Sequence, residues 1–288
     1  MLRDRYRVIV QTAWAGERVD ALIALHARRS AESIEAFAEQ APERIAVVLT
    51  GTDLYRDLPG STQVARSLDI ARRIVTLQDE APHLLAPRWR RKAEVIFQSA
   101  RALRARRKRP GRLDCVVVGH LRDEKDPLTL FRALPLLPSD LPIRVRHIGA
   151  PLDPQLGRAA RALQHRDSRY RYSGALPHGL ARAAIQGSHL LIHPSIAEGG
   201  ANVVVEAITA GTSVLASRIP GNVGMLGRRY PGYFEPGDAS GLARCLVKAL
   251  REPRYLRRLQ EGCMARRPLF APAREARAVR ALVASLLA

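Results

Sequence analysis

Two glutamates with a Gly-Gly pair between them mark the part of the chain best equipped for chemistry. The stretch runs His193-Pro-Ser-Ile-Ala-Glu-Gly-Gly-Ala-Asn-Val-Val-Val-Glu-Ala-Ile-Thr-Ala-Gly211. Its pattern predicts a strand that enters a Gly-rich loop, and a helix that starts from the loop. Gly199-Gly200 lets a ligand approach the backbone closely, and the first N–H groups of the helix have no internal partner. With the helix dipole this makes an anion site suited to a phosphate or diphosphate. Asn202 and Glu206 lie four apart and share one helix face. A carboxylate in such a place does not hold phosphate; it suits hydrogen bonds from sugar hydroxyls. Two acids flanking a phosphate cradle therefore read as a nucleotide-sugar site. The plainer alternative has Glu198 favouring the positive helix end and Glu206 as a surface acid.

The elements that must position these residues alternate along the chain. Short apolar runs separated by helical patterns indicate parallel α/β architecture. Strands are expected at Arg7–Val10, Ala21–Leu25, Ile45–Leu49, Ile74–Leu77 and Glu94–Phe97, with helices at Ser30–Gln40 and Val64–Arg72. A second series follows the basic run 101–112, which Pro110-Gly111 closes. It has strands at Asp114–Val118, Ile143–Ile148, Tyr170–Ser173, Leu190–His193 and Ser213–Ala216. Helices are expected at Pro127–Leu137, Leu156–His165, Gly179–Gln186 and Asn202–Ala210. The result is two Rossmann-like lobes, residues 1–108 and 109–265, with ligands at C-terminal strand edges. The segment 266–288 carries apolar residues at 269, 270, 279, 282, 283, 286 and 287 and reads as an amphipathic helix packing back across the lobes.

Composition narrows the function classes. The 288 residues carry 47 Lys+Arg against 27 Asp+Glu, a net charge of +20. Nearly all of the positive charge is arginine, since the lysines are only Lys92, Lys108, Lys125 and Lys248. Aromatics make up 5%, with no ladder that alternates with basic residues as a stacking platform would need. Small anionic ligands are thus favoured over specific nucleic-acid binding. No stretch approaches the ~20 apolar residues of a membrane span, and the start does not read as a signal peptide. Surface attachment through the basic C-terminal helix is a minor alternative. Three cysteines without metal-ligand spacing suggest a reducing cytoplasm. No Asp-x-Asp occurs, so a metal clamp is disfavoured.

Glu198 and Glu206 form an E-x7-E pattern, and the chain resembles the family 4 glycosyltransferases with the two-lobed GT-B fold. The resemblance implies that Glu206 holds the nucleotide ribose and Glu198 contacts the donor sugar. Gly199, Gly200, Ala201, Asn202 and Val203 would cradle the hexose and diphosphate, and Ala175-Leu176-Pro177 would line the uracil. The family signature G-R-L-x-x-x-K-G corresponds here to Gly119-His-Leu-Arg-Asp-Glu-Lys-Asp126. Lys125 matches the diphosphate lysine, while His120 stands for the usual arginine. The second charge is left to Arg122 or to His120 itself. Lys125, Glu198, Arg122 and His120 are the catalytic candidates.

Further segments narrow the branch. Leu25-His-Ala-Arg-Arg-Ser30, Leu49-Thr-Gly-Thr-Asp-Leu-Tyr-Arg-Asp-Leu58, Gly119-His-Leu-Arg122, Glu198-Gly-Gly-Ala-Asn202, Ala216-Ser-Arg-Ile-Pro-Gly-Asn-Val-Gly224 and Tyr230-Pro-Gly-Tyr-Phe234 resemble the selenosugar synthases of selenoneine biosynthesis. That resemblance implies hexosamine transfer from UDP-N-acetylglucosamine to the selenium of selenophosphate, with no metal cofactor. It also implies that the N-terminal lobe lacks a first βα unit ahead of Arg7–Val10. Selenophosphate is already a soft anionic nucleophile, so it needs cations more than a base. Arg28, Arg29 and Arg56 are the candidates, with His26, Thr52 and Asp53 at the neighbouring strand ends. Asp53 would orient an arginine or a hydroxyl, or cap a helix. A conventional hydroxyl acceptor on a glycan or lipid, and a non-catalytic UDP-sugar-binding remnant, are the competing readings.

Overall fold

A computed structural model describes residues 1–104 and 106–288; Ala105, inside the expected basic run, lies outside the described residues. The chain divides into two units. One comprises Met1–Ser99 with Glu198–Gly200 and Leu269–Ala288; the other comprises Ala100–Ala197 and Ala201–Pro268. The first unit's N-terminal stretch runs to Ser99, and the segment that follows groups with the second unit.

The first unit holds a parallel sheet of β1 (Leu22–Leu25), β2 (Ile45–Val48), β3 (Arg73–Thr76) and β4 (Ala93–Val95), in sequence order. Helices α1 (Ala31–Ala38) and α2 (Thr62–Ile70) supply crossovers, and α3 (Pro87–Arg90) is a single turn before β4. Side chains alternate across a strand. Ile45 and Val47 accordingly join Ile34 and Phe37 of α1 and Val64 and Leu68 of α2 in one buried cluster. Ala46 and Val75 face the opposite side.

The expected strand at Arg7–Val10 is not one. The run offers only three apolar residues, and no neighbouring strand takes up its backbone groups. Its side chains turn to solvent, with Val10 82% exposed. The sheet therefore starts at β1. Trp14 seals this N-terminal segment instead, edge-on to Phe37 at 5.4 Å.

The second unit is built on β5 (Leu113–Val118), α4 (Pro127–Ala133), β6 (Ile143–Ile148), α5 (Pro154–Arg166), β7 (Tyr170–Tyr172), α6 (His178–Gly187), β8 (Leu190–His193), α7 (Asn202–Thr209), β9 (Ser213–Ser217), α8 (Pro220–Leu226) and β10 (Tyr233–Phe234). Helices α9 (Ala239–Arg251) and α10 (Pro253–Arg266) complete it. Aspartates cap two of these helices. Asp153 accepts from the N–H groups of Gln155 and Leu156 ahead of Pro154, and Asp238 accepts from Gly241. The parallel sheet runs β10-β9-β8-β5-β6-β7. Strand order reverses between β5 and β8, the switch point at whose C-terminal ends ligands of doubly wound sheets collect.

The last helix, α11 (Pro272–Leu287), belongs to the first unit. Leu282 and Leu286, four apart, pack on Ala46, Val75 and Ile96 and cover the face of the sheet opposite α1 and α2. Glu275 accepts from the backbone N–H of Ser99 at 3.0 Å, and Arg73 donates to Ser285 at 3.3 Å. No helix among the described residues is long and apolar enough to cross a membrane.

Candidate functional site

The switch point brings two sequence-predicted segments together. Beyond β5 the chain makes the turn Gly119–Asp126, and beyond β8 it makes the loop 194–201. The N–H of Ile196 donates to the carbonyl of Glu124 at 2.9 Å, which ties the loop to the residue beside Lys125.

Backbone contact explains how tightly the turn is made. A Cβ on Gly149, at the end of β6, would stand 1.9 Å from the Gly119 carbonyl oxygen. Only glycine permits that approach. The same carbonyl accepts from Nε2 of buried His147 at 3.3 Å, and His147 Nδ1 lies 2.9 Å from the Tyr170 hydroxyl. A carbonyl can only accept, so Nε2 carries the ring proton and Nδ1 accepts from Tyr170. Burial depresses His147 to a pKa of about 4, against the opposing effect of the Gly119 bond.

Lys125 lies with its aliphatic stem over Gly119, within 4 Å of where a Cβ would sit. Asp126, where the signature has glycine, is left-handed at φ +40°. Aspartate tolerates that conformation, and here its carboxylate caps α4, accepting from Thr129 N–H at 3.2 Å. His120 Nδ1 accepts from the N–H of Ala150 at 3.0 Å. The ring therefore presents Nε2–H as a neutral donor, and His120 does not supply the second charge while that bond holds. Arg122, half exposed and 3.9 Å from Glu124, is the cation at this turn beside Lys125.

In the loop, the glycines serve the protein itself. A Cβ on Gly199 would meet the Thr50 carbonyl oxygen at 2.3 Å and the Gly51 nitrogen at 2.6 Å, and one on Gly200 would meet Leu77 Cβ at 2.6 Å. Glu198–Gly200 accordingly groups with the first unit, and Gly51 itself has φ +134°. The expectation that Gly199-Gly200 is small to admit a ligand gives way to close packing against Thr50-Gly51 and Leu77. Ala201 is buried, Asn202 exposed and Val203 half-buried, and no side chain caps the start of α7.

Glu206 meets a partner not anticipated from sequence. Its Oε1 lies 2.5 Å from Nε2 of His178, the first residue of α6. Leu176 precedes that helix by two residues, so the pair links the Leu176 loop to α7.

The first unit arranges the second set. His26, at φ +75° and 7% exposed, follows β1. Its Nε2 is 2.9 Å from Thr52 Oγ1, while Nδ1 accepts from Arg29 N–H at 3.3 Å. A bulky residue in left-handed conformation at a strand end marks local strain that the surrounding structure must hold. Asp53 is fully buried. Its Oδ1 accepts from the N–H groups of Gly51 at 2.8 Å, Thr50 at 2.9 Å and Leu54 at 3.2 Å, and Oδ2 from Ala27 at 3.0 Å. With both oxygens committed to backbone, Asp53 holds the two loops together and is not a substrate ligand. Arg28 pairs with Asp57 at 3.1 Å. Arg29 is exposed and has no ion pair among the described residues. Arg56 lies on the single π-helical turn Asp53–Asp57, exposed. Tyr55, on the same turn, accepts from buried Gln78 at 3.1 Å. Burial pushes its hydroxyl up to about 12, and the Glu198 and Glu80 carboxylates add to the rise. Among the described residues no three His, Cys, Asp or Glu side chains converge as a metal would require.

Comparison with known proteins adds to this geometry. Residues 100–263 match the family model described as glycosyl transferases group 1. Sucrose-phosphate synthase from Thermosynechococcus elongatus superposes with a TM-score of 0.74 at 18% identity, over 92% of this chain and 73% of that one. Anabaena HepE in complex with UDP-glucose superposes with a TM-score of 0.71 at 13% identity, over 91% and 78%. The pneumococcal O-GlcNAc transferase GtfA in complex with UDP and GlcNAc gives 0.74 at 14% identity, over 92% and 57%. At these identities the likeness is one of fold: parallel sheets in two Rossmann-like units, as in GT-B proteins. The family match covers more than half of the 288 residues and includes the Lys125 turn, the Glu198 loop and α7, and on that ground the chain belongs to the group 1 glycosyltransferases.

Proposed function

We propose that this glycosyltransferase moves a hexosamine from UDP-N-acetylglucosamine to the selenium of selenophosphate. The observation that carries the donor half is the Ile196–Glu124 hydrogen bond. It ties the turn that carries Lys125 to the loop that leads to Glu198 and the uncapped start of α7. Charge that develops on a departing UDP would be met there by Lys125, Arg122 and unpaired N–H groups. His120 Nε2–H adds a neutral donor. Glu206 would take the ribose hydroxyls and Glu198 the hexose.

The acceptor half is supported by what the first unit offers an oxyanion. Arg29, without an ion pair among the described residues, sits next to the His26–Thr52 contact, and a phosphoryl group suits a guanidinium fork. In the reaction the anomeric carbon's bond to the β-phosphate oxygen breaks, and UDP leaves with the electron pair. Selenium donates the pair for the new C–Se bond, and hydrolysis of the P–Se bond by water releases phosphate. Among the similar structures HepE is described in complex with UDP-glucose and GtfA in complex with UDP and GlcNAc, and the segments quoted above from Leu25 to Phe234 support the choice of acceptor.

The test is to incubate the chain with UDP-N-acetylglucosamine and selenophosphate and follow UDP and selenium-bearing sugar together. Stoichiometric formation of both is expected. UDP release only with hydroxyl-bearing sugars would replace the acceptor with a conventional one. UDP binding without release under either condition would mark the chain as a binding protein.

A further inference from the structure

We infer that His178 is a positioning residue for the nucleotide, holding the Glu206 carboxylate in the rotamer that accepts ribose hydroxyls. The inference rests on the reading of Glu206 as the ribose ligand. The two partners are unequal in their surroundings. The Glu206 side chain is 14% exposed, on a helix whose Val204, Val205, Ala207 and Ile208 are all buried. The His178 side chain is 74% exposed, so packing does not force the ring onto Glu206. What brings it there is the start of α6, where Pro177 is the N-cap at φ −51° and ψ 142°, and the carbonyl of Pro177 accepts from Leu180 and Ala181. At 2.5 Å the ring nitrogen and Oε1 are in direct hydrogen-bond contact, with no room for an intervening water.

The geometry also leaves room for the ligand. A carboxylate offers about four lone-pair sites, and His178 occupies one of them, on Oε1. Oε2 and the second site of Oε1 remain for a vicinal diol, so nucleotide and His178 share the carboxylate. The competing arrangement, in which His178 plugs the site and must leave, makes the opposite prediction for its removal.

The experiment is calorimetric titration of the full chain, as wild type, H178A and H178Q, with UDP and with 2′,3′-dideoxy-UDP. Wild type is expected to prefer UDP by about tenfold or more. H178A is expected to lose about five- to tenfold in UDP affinity with no change toward the dideoxy nucleotide. In H178Q the amide Nε2 stands where the imidazole Nε2 was, and UDP affinity returns to within about twofold of wild type. The nucleotide-free melting temperature should not move, because the ring is exposed. In turnover the donor KM should rise in H178A while kcat holds, the pattern of lost uniform binding. Equal or tighter UDP binding by H178A would overturn the inference, tighter binding pointing to the plug. Parallel loss for both nucleotides would overturn it in favour of a general effect on the fold. Failure of the underlying reading looks different: wild type itself would not distinguish UDP from its dideoxy analogue.

Discussion

Replacing Asp53 separates a structural aspartate from a substrate-binding one, and the size of the effect follows from its contacts. In Asp53→Ala the N–H groups of Ala27, Thr50 and Gly51 lose the acceptor that the structure gives them, while Leu54 keeps the Gly51 carbonyl at 3.0 Å. A buried donor left unmatched costs about 1–3 kcal/mol, so the two buried ones, on Ala27 and Gly51, predict a loss of at least ~2 kcal/mol. Asp53→Asn keeps one carbonyl oxygen for Thr50 and Gly51 but turns an NH2 toward the Ala27 N–H. One orphaned donor predicts about 1–3 kcal/mol, or roughly 2–12 °C at about 2–4 °C per kcal/mol. The assay is urea unfolding followed by tryptophan fluorescence. Both tryptophans, Trp14 and Trp89, lie in the first unit, so the signal reports the unit that carries Asp53. The expected order is wild type, then Asn, then Ala. If Asp53→Ala costs under ~1 kcal/mol and instead raises the KM for the acceptor, the carboxylate is a ligand and the structural assignment fails.

Three further outcomes follow from the second unit. Lys125→Ala should weaken UDP by about tenfold to a hundredfold, the range of a hydrogen bond to a charged group, and leave uridine affinity unchanged in the same titration. Glu206→Ala should shrink the rise in melting temperature that millimolar UDP gives wild type, because stabilisation by a ligand falls as its Kd rises. His147 makes stability acid-sensitive in a defined window. Its folded pKa of about 4 lies below the ordinary value of 6.5, so from pH 6.5 down to 4 the unfolded chain binds a proton that the folded one does not. Stability should therefore fall across that interval by up to about 3 kcal/mol, and urea midpoints read by circular dichroism should show this slope flattened in His147→Gln.

How much of this was legible in the sequence depends on whether the relevant physics is local. The strand at Ile45–Val48 and the helix at Asn202–Thr209 are predictable because burial periodicity lies within the segment itself. Arg7–Val10 has the composition of a strand but lacks a partner strand, which no local pattern reveals. The Glu198–Glu206 spacing was readable, whereas the partner of Glu206 was not. His178 lies 28 residues away and reaches it only because α6 and α7, which precede and follow β8 in the chain, pack against each other. A histidine directly after Leu176-Pro177 was the signal available, and it points to Glu206 only once the two helices are known to be neighbours. Tyr55 and Gln78 likewise meet through adjacent strand ends. Asp53 was legible as important but not in which role, since a buried cap and an exposed ligand carry the same letter.

The excess of arginine shows the same dependence on geometry. Arg169 donates to the carbonyls of Leu134, Leu137 and Pro138 and to Asp167, fastening the end of α4 to the start of β7. Arg90 takes the carbonyls of Pro82, His83 and Leu85, and Arg266 those of Gly224 and Met225. In each case one planar fork serves several acceptors at once, which a lysine ammonium on a flexible stem does less well. Carbonyls at helix ends and in turns are also the negative poles of their elements. An arginine spent this way counts toward +20 but offers little to a ligand. In the proposed reading anion binding falls instead to a few cations at strand ends, Lys125, Arg122 and Arg29 among them. A charge total cannot identify those, because it adds fastened and available guanidinium groups alike.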